Sequence, residues 1–127
     1  MRVAPDLLDQ IVAHAREEAP NECCGLVAVR DGEATEVRRA VNQAASPLKF
    51  EVDGLEVLRA LDDFEDAGAQ LGAIYHSHTR TAPYPSQTDI NFAANWPGVR
   101  WIIVGLDRQG EATVRTYLIE DGDVREI

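Results

Sequence analysis

His76 and His78 stand one residue apart at the end of LGAIYHSH, and after the seven residues Thr79 to Pro85 the chain reaches Ser86 and Asp89. Side chains on a strand alternate faces with a period of two, so the two imidazoles project the same way. If Ser86 to Asp89 opens a helix, its first turn aims a carboxylate back at them. Two nitrogens and one oxygen make the three-ligand set of a catalytic zinc site with an open fourth position, whereas structural zinc sites are closed and usually cysteine-rich. The expectation is one Zn2+ per chain, held by His76, His78 and Asp89.

Water on such a metal still needs a base to take its proton and an acid to protonate the leaving amine, and one carboxylate performs both steps in turn. Glu22, in APNECCGL, is the candidate, placed where the first helix ends and the first strand begins. Ser86 is the candidate donor to an oxyanion developing on an attacked carbonyl. Each residue also has a plainer reading. Ser86-Gln87-Thr88-Asp89 is a capping-box variant, with Ser86 satisfying a free amide and Asp89 complementing the helix dipole. By themselves, two histidines at this spacing are more often packing or surface residues than ligands; Glu22 reads as an exposed loop carboxylate with Glu17 and Glu18 as rivals, and His14 as a helix-face residue. Cys23 and Cys24 read as small core residues.

Several elements must position these side chains. Leu7, Leu8, Ile11, Val12 and Ala15 recur at helical spacing, Pro5 suits a first turn and Pro20 blocks continuation, which predicts a helix over about 6–18. CGLVAV and ATEVRRAV flank Asp31-Gly32, a pair that favours a hairpin. A second helix is predicted from Asp53, capped by its side chain with Glu56 reaching back, and with Leu55, Leu58, Leu61 and Phe64 along one face until Gly68. LGAIYHSH reads as a buried strand, INFAANW as a short helix, VRWIIVGL and ATVRTYLI as strands joined through Asp107 to Gly110, with a short last strand after Asp121-Gly122. Several connections are too short for helical crossovers, so the expected architecture is α/β, a mixed β-sheet flanked by α-helices.

The length of 127 residues suffices for a single domain over 1–127. Its composition, 45% hydrophobic and 27% charged, is that of a globular chain. No apolar run approaches the roughly 18 residues of a membrane span, and MRVAPDLLDQ lacks the apolar stretch of a secretory signal. The formal net charge of −10 repels phosphate backbones, so nucleic acid is not an expected partner, and without such an apolar run neither is a membrane. The two cysteines, Cys23 and Cys24, are sequence neighbours and cannot staple distant parts of the chain, which fits reduced thiols and a cytoplasmic location.

Taken together, these residues resemble the JAMM, or MPN-plus, metallopeptidase family, whose signature is an upstream glutamate followed by His-x-His-x7-Ser-x-x-Asp. His76-Ser77-His78, Thr79 to Pro85, and Ser86-Gln87-Thr88-Asp89 match that spacing at every position. PNECCGL is similar to the family's Pro-x-Glu-x-x-Gly segment, and VNQAASPLKFEVD to the stretch that links it to the second helix. The resemblance implies the MPN/JAMM, cytidine-deaminase-like fold, zinc on His76, His78 and Asp89, Glu22 as general acid/base, and Ser86 as water-positioning or oxyanion donor. It also implies hydrolysis of amide bonds at the C-termini of ubiquitin or ubiquitin-like proteins. Little chain is left for long insertions, so the likeness is to compact bacterial enzymes that release cysteine from the C-terminal Gly-Gly of a ubiquitin-like sulfur-carrier protein. Removal of such modifiers from lysine conjugates, small-peptide amidase activity and a non-catalytic MPN scaffold are the alternatives. A zinc deaminase would need His-x-Glu with a later Pro-Cys-x-x-Cys, and neither occurs here.

Overall fold

A computed structural model describes residues 1–127. The chain forms, in order, α1 (Pro5–Glu18), β1 (Cys24–Arg30), β2 (Glu33–Ala40), α2 (Gly54–Asp66), β3 (Gln70–His78), α3 (Gln87–Ala93), β4 (Arg100–Leu106), β5 (Ala112–Glu120) and β6 (Asp123–Glu126). The strands make one sheet in the order β2-β1-β3-β4-β5-β6. Only β3 and β4 run parallel, and the chain between them crosses over through α3. The remaining neighbours are antiparallel, so the sheet is mixed, as the short connections require.

Each face of the sheet is covered by helices. On one, Ile11 and Ala15 of α1 pack with Val27, Ala73, Tyr75, Ile102 and Val104. On the other, Ala60 and Phe64 of α2 and Ala93 of α3 pack with Leu26, Ile74, Trp101 and Ile103. Alternation along β3 therefore sends Ala73 and Tyr75 to the α1 face and Ile74 to the α2/α3 face. The β1–β2 hairpin turns through Asp31 and Gly32, both with positive φ (52° and 78°), the conformation that two-residue turns between twisted strands demand.

Three expectations change in detail. Asp53 occupies the N-cap of α2, but its side chain makes no capping bond, and Glu56 accepts a hydrogen bond from the Val41 N–H at 2.9 Å instead of reaching back. The buried stripe of α2 runs through Ala60 and Phe64, leaving Leu55 and Leu58 at 52% and 59% exposure. The two stripes differ by a rotation of the helix about its axis, and contact with the sheet selects one. α3 begins at Gln87, ahead of the apolar INFAANW run, because Ser86 caps it.

Candidate metal centre

β3 lies inside the sheet, between β1 and β4, and its C-terminal end delivers both histidines to the α2/α3 face. Ser77, between them, points to the other face, where its Oγ accepts the Cys23 N–H at 2.8 Å. The chain then turns through Thr79 to Pro85, and Ser86 starts α3. A complete capping box forms there: Ser86 Oγ accepts the Asp89 N–H at 3.1 Å, and Asp89 Oδ2 accepts the Ser86 N–H at 2.8 Å. The same Oδ2 lies 3.2 Å from His76 Nε2 and 3.4 Å from His78 Nε2. Cap and cluster are thus one arrangement, and the two readings of Ser86 to Asp89 are not exclusive.

His76 Nε2 and His78 Nε2 are 3.2 Å apart. A tetrahedral ion with bonds of about 2.0–2.1 Å holds its ligand atoms about 3.3 Å from one another. The three separations in the protein fit that figure. The tautomer of His78 is set by its other nitrogen, since Nδ1 lies 2.8 Å from the Ala82 carbonyl, which can only accept, so Nε2 turns a lone pair to the cluster. Nδ1 of the fully buried His76 has no partner, leaving Nε2 to make that ring's polar contacts. The three donors are buried and compatible with a zinc site.

The charge balance suits a cation. Burial opposes ionisation of Asp89, yet the two neighbouring imidazoles and the hydrogen bond from the Ser86 amide hold its carboxyl far below the usual range. Burial lowers His76 and keeps it neutral. Burial would lower His78 as well, but the Asp89 carboxylate, the Ala82 carbonyl and Glu22 outweigh it and raise this imidazole.

Glu22 is buried, at 5% exposure, and not the exposed loop carboxylate that its flanks allow. The β1–β3 register sets its place. Cys24 pairs with His76, and the Ser77 N–H bonds the Cys23 carbonyl at 3.2 Å, so two further residues along the same register bring Glu22 opposite His78. Burial raises the Glu22 carboxyl to about 7, against the pull of His78 and with the push of Asp89. Glu22, His78, Ser86 and Asp89 share a cavity of about 400 Å³ that Lys49, Phe50, Glu51, Val52 and Phe92 also line.

The rivals fall elsewhere. Glu17 is exposed and pairs with Arg39; Glu18 approaches His14 on α1. His14 is buried and shares a 2.7 Å hydrogen bond with the Tyr75 hydroxyl, which makes it a core residue. Cys23 and Cys24 are free and buried, and burial pushes their thiols up to about 11 and about 12, away from nucleophilic chemistry. Motif reasoning missed Phe50, whose ring stacks on His76 with centroids 4.6 Å apart and planes at 24°. Its only signal is the place of KFEVD ahead of α2.

Comparison with known proteins gives the chain its relatives. Residues 4–119 match the family model for prokaryotic homologs of the JAB domain. The chain is 36% identical over 126 residues to the CysO-cysteine peptidase of Mycobacterium tuberculosis, covering 98% of this chain and 86% of that one. It is 38% identical over 115 residues to the desampylase of Haloferax volcanii, covering 84% and 81%. A solution structure of a protein from Desulfitobacterium hafniense superimposes with a TM-score of 0.83 at 30% identity, covering 98% and 88%. A match that spans the sheet, the helices and the histidine cluster alike leaves one assignment: the chain belongs to the prokaryotic homologues of the JAB domain, compact members of the JAMM/MPN family.

Proposed function

We propose that this JAMM-type hydrolase cleaves the amide bond after the C-terminal Gly-Gly of a ubiquitin-like sulfur-carrier protein and releases an appended cysteine. One observation carries the reading: a buried carboxyl, Glu22, lies opposite His78 in the cavity that also holds Ser86 and Asp89. His76, His78 and Asp89 would hold one zinc, which would supply the acidification of water and the polarisation of a carbonyl. Glu22 takes the proton of the attacking water. It then gives a proton to the departing amine, and burial, which disfavours its charged form, favours release of the carboxyl from the anionic state once the water's proton is taken up. The Ser86 hydroxyl, facing the same cavity, donates to the oxygen on which charge develops.

The substrate class rests on shape and on likeness. The cavity lies at the end of an interior strand, and the Lys49–Val52 segment that lines it offers an extended tail a backbone to run along. Glycines bring a backbone close to such a wall because they carry no Cβ. The mycobacterial relative is named a CysO-cysteine peptidase, which supports cysteine as the released residue. The desampylase relative supports a second reading, cleavage of a modifier from lysine. We read residues 1–127 as one domain, and the two free cysteines support a cytoplasmic location.

Intact-mass spectrometry of a carrier ending in Gly-Gly-Cys, beside a lysine-linked conjugate and a free Gly-Gly-Cys peptide, tests the proposal. The expected result is loss of one cysteine from the folded carrier. Glu22→Gln should keep zinc and lose about 10²–10⁴-fold in rate. Cleavage of the free peptide with the carrier untouched would refute recognition of a protein tail. Full turnover by Glu22→Gln would refute the acid/base role.

A further inference from the structure

The segment between β2 and α2 has no regular structure, yet it supplies Lys49, Phe50, Glu51 and Val52 to the cavity wall. One side chain organises it. Asn42 Nδ2 donates to the Glu22 carbonyl at 2.9 Å and to the Lys49 carbonyl at 3.0 Å. Its Oδ1 accepts the Ala44 N–H at 3.1 Å and the Glu51 N–H at 3.0 Å. Two donors and two acceptor sites are the whole capacity of a side-chain amide, and here all four are used on main-chain groups.

The backbone of Glu22 depends on this segment. Its N–H bonds the Ser46 carbonyl at 2.8 Å and its C=O receives Asn42, so both of its main-chain polar groups are held by the 42–51 loop. The loop closes on itself through Gln43 N–H to the Glu51 carbonyl at 2.8 Å. It thereby places Phe50 against His76.

Resting on the proposed acid/base role of Glu22, we infer that Asn42 is a positioning residue, which locks the Glu22 carboxyl and the Lys49–Glu51 lining of the cavity in one geometry. It touches neither the cluster nor the cavity. Its effect passes through the Glu22 carbonyl and the Lys49–Glu51 backbone. Only an amide does this: an aspartate has the same shape but no donor, and would set an anionic oxygen against two carbonyl oxygens.

The test is a double-mutant cycle on the zinc-loaded chain with Asn42→Asp, Asn42→Ala and Glu22→Gln, read by kcat and KM on a Gly-Gly-Cys carrier and by amide hydrogen exchange. Displacing a reacting group by about 1 Å costs up to about 10²-fold, so each Asn42 variant should lower kcat by about 10- to 100-fold with a smaller change in KM. In the Glu22→Gln background the same substitutions should cost less than about threefold, because the group they misplace is already disabled. Exchange at the Glu22 and Glu51 amides should quicken while β3 and β4 stay protected. Equal losses in both backgrounds, or unchanged kcat, would overturn the inference. If the wild-type chain cleaves no carrier, the proposed function fails by itself; unchanged Glu22 exchange in the Asn42 variants would then still refute the clamp.

Discussion

Glu22 is held in a place where its charge is expensive, and that cost can be measured without any substrate. Burial lifts the carboxyl from 4.5 to about 7. Each pKa unit corresponds to about 1.4 kcal/mol, so keeping Glu22 ionised in the folded chain costs about 3 kcal/mol. The folded state binds this proton more tightly than the unfolded chain does. The stability that Glu22 contributes is therefore complete below pH 4.5 and is lost as the pH rises to about 7. Glu22→Gln has the shape of the protonated acid and no charge to desolvate. In metal-stripped protein it should match the wild type near pH 4 and exceed it by about 3 kcal/mol at pH 8, or about 10 °C in Tm for a chain of this size. Urea denaturation of both proteins across pH 4 to 8, with chelator present, gives the difference directly. A difference that does not change with pH, or a Gln variant less stable at pH 8, would refute the reasoning that burial raises this carboxyl.

His78→Ala should fold, because the side chain sits at a strand end outside both apolar clusters, and, if His78 is a metal ligand as proposed, it should retain less than a tenth of an equivalent of zinc by metal analysis. Ser86→Ala removes the α3 cap as well as the cavity hydroxyl; it should cost about 1 kcal/mol in denaturant unfolding and about 10²–10³-fold in kcat, and unchanged turnover would leave Ser86 a cap only. Gly25→Ala should destabilise by at least about 1–3 kcal/mol, since a Cβ there overlaps the ring of Tyr75, which is fully buried and hydrogen-bonded to His14; a stability equal to the wild type by thermal melting would mean that Tyr75 can move aside.

Local chemistry alone made much of this protein legible. His76 and His78 share a face because strand geometry has period two, and Asp31-Gly32 makes a hairpin because its residues tolerate positive φ. The His-x-His-x7-Ser-x-x-Asp spacing is likewise a matter of a strand end, a loop and a first helical turn, all within fourteen residues, 76–89. What only the tertiary structure decided depends on register and on packing between distant segments. Glu22 lies across from His78 because β1 pairs antiparallel with β3, and a shift by one residue would send it to the opposite face. Burial of Glu22 and of His14, the turn of α2 that leaves Leu55 and Leu58 exposed, and the Phe50 ring on His76 follow from which surfaces meet. Asn42 shows the limit most directly: an amide in a loop can satisfy many partners, and nothing in its neighbours says that the Glu22 carbonyl, twenty residues earlier, is one of them. Such contacts form only once the sheet has brought the segments together, so their energy is a property of the folded chain and not of any stretch of the sequence.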